Sequence, residues 1–228
     1  MKCAIMQPTY LPWAGYFNLI KQVDKFVFLD DIQFERQSWQ TKNRILLNGI
    51  EHYLILPVNR CHLGELIGNI VINERSNWRK SHWLTLRAAY SKARYGEEAL
   101  AILSPFFEGD DGLLLSNFTC EIIVKISREL GISTNFYRAS ELDCSGKRSM
   151  HLIEICEKLG CVEYLSPEGS RNYLLEDNFT AISSIALDFQ KFEPKAYSQY
   201  KGTQFISHLS IIDVIANHGV EYAKSYIC

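Results

Sequence analysis

Cys3-Ala4-Ile5-Met6 runs straight into Gln7-Pro8-Thr9-Tyr10-Leu11-Pro12-Trp13-Ala14-Gly15-Tyr16, and this opening stretch decides the fold. The first four residues are an apolar run of strand length. Two prolines, a glycine and three aromatics then stand where an α/β protein turns from its first strand into its first helix. Amphipathic material follows (Phe17, Leu19, Ile20, Val23), and a second apolar run, Phe26-Val27-Phe28-Leu29, ends in Asp30-Asp31. The unit reads as strand, special turn, helix, strand and acidic pair. Open parallel sheets bind ligands outside the carboxyl ends of their strands, so Gln7, Asp30 and Asp31 fall on the edge where chemistry is expected.

Outward from this unit, residues 33–44 are polar but interleaved with aromatics and lack either period, which predicts a long functional loop. Residues 52–58 and 68–73 have strand composition. Residues 77–94 turn helical through Trp78, Trp83, Leu84, Leu86 and Tyr90, and a second helical stretch, 113–130, ends at Gly131. The opening logic then recurs. Residues 134–137 read as a strand, 139–145 as a polar loop, and Gly146-Lys147-Arg148-Ser149 leads into a helix through Leu159. A short strand at Glu163-Tyr164-Leu165 runs into Ser166-Pro167-Glu168-Gly169-Ser170-Arg171; residues 185–192 suit another strand, and 210–218 an amphipathic helix. The expected architecture is α/β: a Rossmann-like, mainly parallel sheet flanked by helices. It forms a single domain over residues 1–228 with a helical insertion near 77–130.

The chain has 228 residues, 47% hydrophobic and 22% charged, enough to bury a full core. A net charge of −2 gives no electrostatic footprint for nucleic acid. No apolar run of about 18 residues predicts membrane insertion, and the N-terminus lacks the pattern of a signal peptide, so a cytoplasmic location is expected. The seven cysteines are scattered, without a disulfide framework or a CxxC pair, and most read as small core hydrophobes.

Several residues carry candidate chemistry, each beside a plainer reading. Asp30 or Asp31 can act as a general base or hold a divalent cation through oxygen ligands; either can equally cap a strand end. Gln7 supplies both donors and an acceptor. Gly146-Lys147-Arg148-Ser149 opens a helix with two cations, which suits phosphate. It is not a P-loop, because Glu141 occupies the first glycine's place. Ser166, Gly169, Arg171 and Tyr173 end a strand with ligand-binding chemistry that a turn would also explain. Tyr10, Trp13, Tyr16, Phe34 and Trp39 can form an aromatic platform or simply be core. His82, among six histidines, sits on a helix flank that is not a plain apolar stripe and is the best placed for a base. No histidine spacing resembles HExxH, and no GxSxG elbow is present.

The blocks QPTYLPWAGYFNLI at residues 7–20, DKFVFLDDIQF at 24–34 and SWQTKNRI at 38–45 closely resemble the WbqC-like family in order and spacing. The resemblance continues through His82, Tyr90, the GKRS start, YLSPEGSRNYL and HLSIIDVIANHG. Two departures stand out: Pro167 follows the YLS serine where the family has a small residue, and GKR replaces GK[ST]. The resemblance implies surface polysaccharide biosynthesis, of the O-antigen and lipopolysaccharide kind, and a transferase moving an acyl or aminoacyl (glycyl) group onto a nucleotide-linked amino sugar. An acyl carrier protein is then a possible partner. On that reading Asp30, Asp31 or His82 is the base. Gln7 and Asn43 orient the acceptor, Lys147 and Arg148 face phosphate, and Trp39 stacks on a ring. Tyr10, Trp13, Gln33, Ser38, Ser166, Gly169, Arg171 and Tyr173 complete the binding surface. Two alternatives remain. Trp13-Ala14-Gly15-Tyr16 stands where nucleotidyltransferases carry HxGH, which suggests a degenerate relative that binds nucleotide and sugar phosphate. A non-catalytic scaffold or carrier-protein-binding module is the other.

Overall fold

The computed structural model describes residues 1–109 and 113–228. The opening apolar run is β1 (Lys2–Met6), the proline-rich turn leads into α1 (Ala14–Lys21), and the chain returns as β2 (Lys25–Phe28). A hairpin follows, β3 (Lys42–Leu47) and β4 (Ile50–Ile55), then α2 (Trp78–Tyr90), α3 (Gly96–Leu103) and α4 (Leu115–Glu129). β5 (Asn135–Arg138), α5 (Ser149–Lys158) and β6 (Glu163–Ser166) form the second crossover. α6 (Arg171–Glu176), α7 (Phe179–Ile182) and β7 (Ala186–Phe189) complete the sheet, and α8 (Ile211–His218) and α9 (Val220–Tyr226) close the chain.

Five strands pair in parallel in the order β5-β2-β1-β6-β7. The chain moves outward from β1 to β2 and β5, then returns to the other side of β1 for β6 and β7. The Rossmann-like α/β sheet flanked by helices is therefore present, with its topological reversal between β1 and β6. Strand alternation divides two cores. Ala4, Phe26 and Phe28 join the larger one with Phe17, Leu19 and Ile20 of α1 and Ile122 and Ile126 of α4. Cys3, Ile5 and Val27 point the other way, against Leu152, Ile155 and Cys156 of α5. Both faces of β1 and β2 are thus covered, which is why their sequences are continuous apolar runs. Truncating a side chain such as Phe26, with no exposed surface, would cost about 3–5 kcal/mol.

Residues 68–73, expected as a strand, form instead a 3-10 turn (Ile67–Asn69) followed by single bridges from Val71 to Leu114 and from Ile72 to Val58. Their backbone groups pair one at a time with different segments, and the N–H of Gly68 donates to the carbonyl of Asp30 at 2.8 Å. β4 begins two residues before the expected 52–58 strand and stops at Ile55, ahead of Pro57, which has no N–H to offer a ladder. β7 is shorter than the 185–192 expected. Residues 110–112, within the expected helical insertion, lie outside the described residues; around them α2, α3 and α4 supply its helices.

Candidate functional site

β1 ends at Met6 and β6 at Ser166, and the chains beyond them diverge to either side of the sheet. The crevice left at this reversal widens into a cavity of about 1130 Å³. That is just above the usual range for a small-molecule site and large enough for a nucleotide-sized ligand. Gln7, Trp13, Trp39, His151, Tyr164 and Tyr173 are among its lining residues. Its approach turn is bent: Leu11, fully buried, is held at φ 44, where a non-glycine residue is strained.

The acidic pair splits. Asp30 is 1% exposed, and its two oxygens accept from Ser140 N–H and Oγ–H, each at 3.0 Å, with Arg138 at 3.9 Å. It ties the end of β2 to the loop after β5. Asp31 faces the other element: its Oδ2 lies 3.0 Å from Nε2 of His151, in the first turn of α5. A carboxylate only accepts, so Nε2 carries a proton, and in the neutral ring Nδ1 holds the lone pair. Nδ1 is buried and has no partner among the described residues, and His151 lines the cavity. The bond to Asp31 raises the pKa of His151 above its ordinary value, while burial works against that rise.

His82 stands elsewhere. It is buried with Nδ1 3.1 Å from the Tyr10 hydroxyl and its ring edge-on to Trp78, outside the cavity lining. Burial lowers its pKa from 6.5 to about 4, which keeps it neutral. Tyr10 is fully buried, and Asn43 donates to its carbonyl at 3.0 Å, so both hold the turn rather than line the cavity. Gln33 is exposed and bridges to Leu66. Ser38 lines the cavity, as does Trp39, half exposed and stacked on Tyr53. Trp13 caps α1; its ring lies across Gly15 and against His208, with centroids 4.5 Å apart.

At Gly146-Lys147-Arg148-Ser149 the anion is supplied by the protein itself. Glu154 accepts from the N–H groups of Ser145 and Gly146, and Asp177 accepts from the Ser149 hydroxyl at 2.8 Å and pairs with Arg148. Lys147 is exposed and off the cavity; Arg148, on its rim, is held at φ 53. Gly169 and Tyr173 line the cavity, whereas Ser166 donates to the Pro167 carbonyl, and Arg171 pairs with Glu168 and lies 3.8 Å over the Phe189 ring. Among the described residues, no three His, Cys, Asp or Glu side chains gather to hold a metal ion. His151, Gln40, Tyr164, Gln190 and Phe192 escaped the sequence reading. For His151 the available signal was its place one turn into the helix that the GKRS start opens.

The match to known sequences covers the same elements: the WbqC-like protein family aligns with residues 7–225. The chain belongs to the WbqC-like family. A relative from Mycobacterium tuberculosis, the uncharacterized protein Rv1507c, is 30% identical over 227 residues, spanning 99% of this chain and 97% of that protein. No solved structure matches the chain significantly. Membership of the WbqC-like family suggests a role in polysaccharide biosynthesis. No described helix of this WbqC-like chain is long and apolar enough to cross a membrane. The WbqC-like turn differs from an HxGH phosphate site in its chemistry: the Tyr16 hydroxyl donates to the Gln7 carbonyl at 3.0 Å, and the Trp13 ring covers the start of α1.

Proposed function

We propose that this protein is a cytoplasmic transferase of surface polysaccharide biosynthesis that moves an acyl or aminoacyl group onto the amino group of a nucleotide-linked amino sugar. One observation carries the reading: the Asp31–His151 pair in the wall of a cavity at the sheet's reversal point, with Nε2 of His151 committed to Asp31 and Nδ1 buried without a partner among the described residues. An amino sugar arrives as an ammonium and must lose a proton before it can attack. A small rotation of the His151 ring on substrate binding opens Nδ1, which the free protein buries; Nδ1 takes that proton, and Asp31 stabilises the resulting imidazolium. The free amine then forms a C–N bond to the acyl carbonyl carbon. As the bond from that carbon to the donor's oxygen or sulfur breaks, the proton held by His151 passes to the leaving atom, and the second proton of the attacking nitrogen passes to the vacated His151 and on to solvent, leaving the amide. Trp39 and Tyr173 offer rings for the base or sugar, and Arg148 stands at the rim for the diphosphate. Seven free thiols support a reducing location.

The test is direct. Purified protein is screened by thermal shift against UDP-glucosamine, UDP-N-acetylglucosamine and nucleoside triphosphates, and mixtures with aminoacyl and acyl donors are read by mass spectrometry for an acylated nucleotide sugar. Binding of an amino sugar nucleotide and a product lost in His151→Ala bear out the proposal. Product formation that survives His151→Ala overturns it. A shift only with triphosphate points to nucleotidyl transfer instead.

A further inference from the structure

We infer that Gln40 locks the side-chain amide of Gln7 as a hydrogen-bond donor into the cavity, so that the ligand atom seated at the end of β1 is an acyl oxygen. The inference rests on the transferase reading for the identity of that oxygen, and on geometry alone for the donor.

The geometry runs as a relay. The backbone N–H of Glu35 can only donate, and the Gln40 side-chain atom 3.2 Å from it must therefore be oxygen. That leaves Gln40 Nε2 facing Gln7 at 2.8 Å, and a donor there requires Oε1 of Gln7. Gln7 Nε2 has no partner among the described residues, and Gln7 lines the cavity. Gln40 is 1% exposed, so water does not compete for the relay. The turn behind it is closed as well: Ser38 Oγ–H donates to the Glu35 carbonyl at 2.8 Å and accepts from Gln40 N–H at 3.3 Å.

A fixed NH2 group meets acceptors only, and on the transferase reading the neutral His151 ring in the same cavity wall takes a proton from the ligand. The ligand must bring both. An acyl carbonyl beside an amine does so, and a donor held in place before reaction stabilises the negative charge that develops on the carbonyl oxygen during attack. Gln7 thus touches the reacting group, and Gln40 is a positioning residue acting through it.

Two isosteric substitutions test this. Gln7→Glu keeps an oxygen for Gln40 and turns an oxygen to the cavity. Gln40→Glu keeps an oxygen for Glu35 N–H but demands a donor from Gln7, which must rotate and present its carbonyl to the cavity. Both are expected to weaken UDP-N-acetylglucosamine, used as the carbonyl-bearing probe, roughly tenfold to a hundredfold. Binding of UDP-glucosamine and UDP, which lack the acyl group, should hold. Equal weakening of UDP overturns the acyl assignment, and wild-type affinity in Gln40→Glu overturns the relay. Should the buried carboxyl of Gln40→Glu prevent folding, Gln40→Met replaces it, with a severalfold loss expected. The side-chain amide NMR signals decide the relay without any ligand: Gln40 NH2 should be protected from exchange and Gln7 NH2 open. If no probe binds the wild type, the transferase reading loses its substrate, and exchange still judges the relay: protected Gln7 NH2 overturns it.

Discussion

His151 Nε2 stands 3.0 Å from Asp31 Oδ2, although 120 residues of chain separate them. The sheet order makes the contact: β2, which leads to Asp31, and α5, which carries His151, both flank β1.

If this pair is the base, His151→Ala should lower turnover by about 10²–10⁴-fold. Asp31→Asn should lower it less and move the pH profile. The bond to Asp31 raises the His151 pKa, so the wild-type rate should climb with pH through a value above 6.5, and the limb should fall toward lower pH in Asp31→Asn. The sign for stability is opposite. The raised pKa adds stability that is fully present below 6.5 and lost as pH rises through the folded value. A pH–rate profile unchanged by Asp31→Asn would remove the pair from the chemistry.

His82 makes a separate and purely structural prediction. Its pKa falls from 6.5 to about 4 because the ring is buried, at 8% exposure. Unfolded chains take up a proton there first, so stability is present above pH 6.5 and drains as pH falls toward 4. The full effect is on the order of 3 kcal/mol. Chemical denaturation at pH 7 and pH 4.5 should show a steeper loss in the wild type than in His82→Leu, while the pH–rate profile keeps its limb.

Much of the fold was legible because two strand–turn–helix–strand units announce themselves in short apolar runs that end in polar clusters. Residues 3–6 and 26–29 read as strands because both faces of β1 and β2 are buried. The hairpin was missed despite Asn48-Gly49, whose φ values of 53 and 80 are those of a tight hairpin turn. The site was less legible. Asp30 and Asp31 are adjacent in sequence, yet one serves Ser140 and the other His151. Nothing local distinguishes them; the partner arrives from more than a hundred residues away. His82 has a polar flank on its helix, but its ring is taken up by Tyr10 and Trp78. The GKRS start invited an anion, and Asp177 and Glu154 fill that role.

Gly96 marks where α2 and α3 approach too closely for any side chain. A Cβ there would lie 1.7 Å from the Tyr90 carbonyl oxygen, a backbone atom that cannot swing aside. Gly96→Ala should therefore cost about 3 kcal/mol or more. Urea unfolding should show a lower midpoint with an unchanged slope. A loss under about 1 kcal/mol would mean that the two helices are free to part.

Gly15 poses a different problem, because the obstacle is a ring. Its Cβ would fall 2.2 Å from Cη2 of Trp13, so Gly15→Ala must lift the indole off the start of α1 and away from His208 and Phe192. Alanine within a helix is favoured over glycine by up to about 1 kcal/mol, which partly offsets the lost ring contacts. Net stability should therefore change little, while indole fluorescence shifts and binding of a nucleotide sugar weakens, since Trp13 lines the cavity. The decisive comparison is the double-mutant cycle. In a Trp13→Ala background the clash is gone, and Gly15→Ala should be neutral or stabilising with no further effect on binding. If Gly15→Ala harms binding equally in both backgrounds, the ring is not the reason for the glycine.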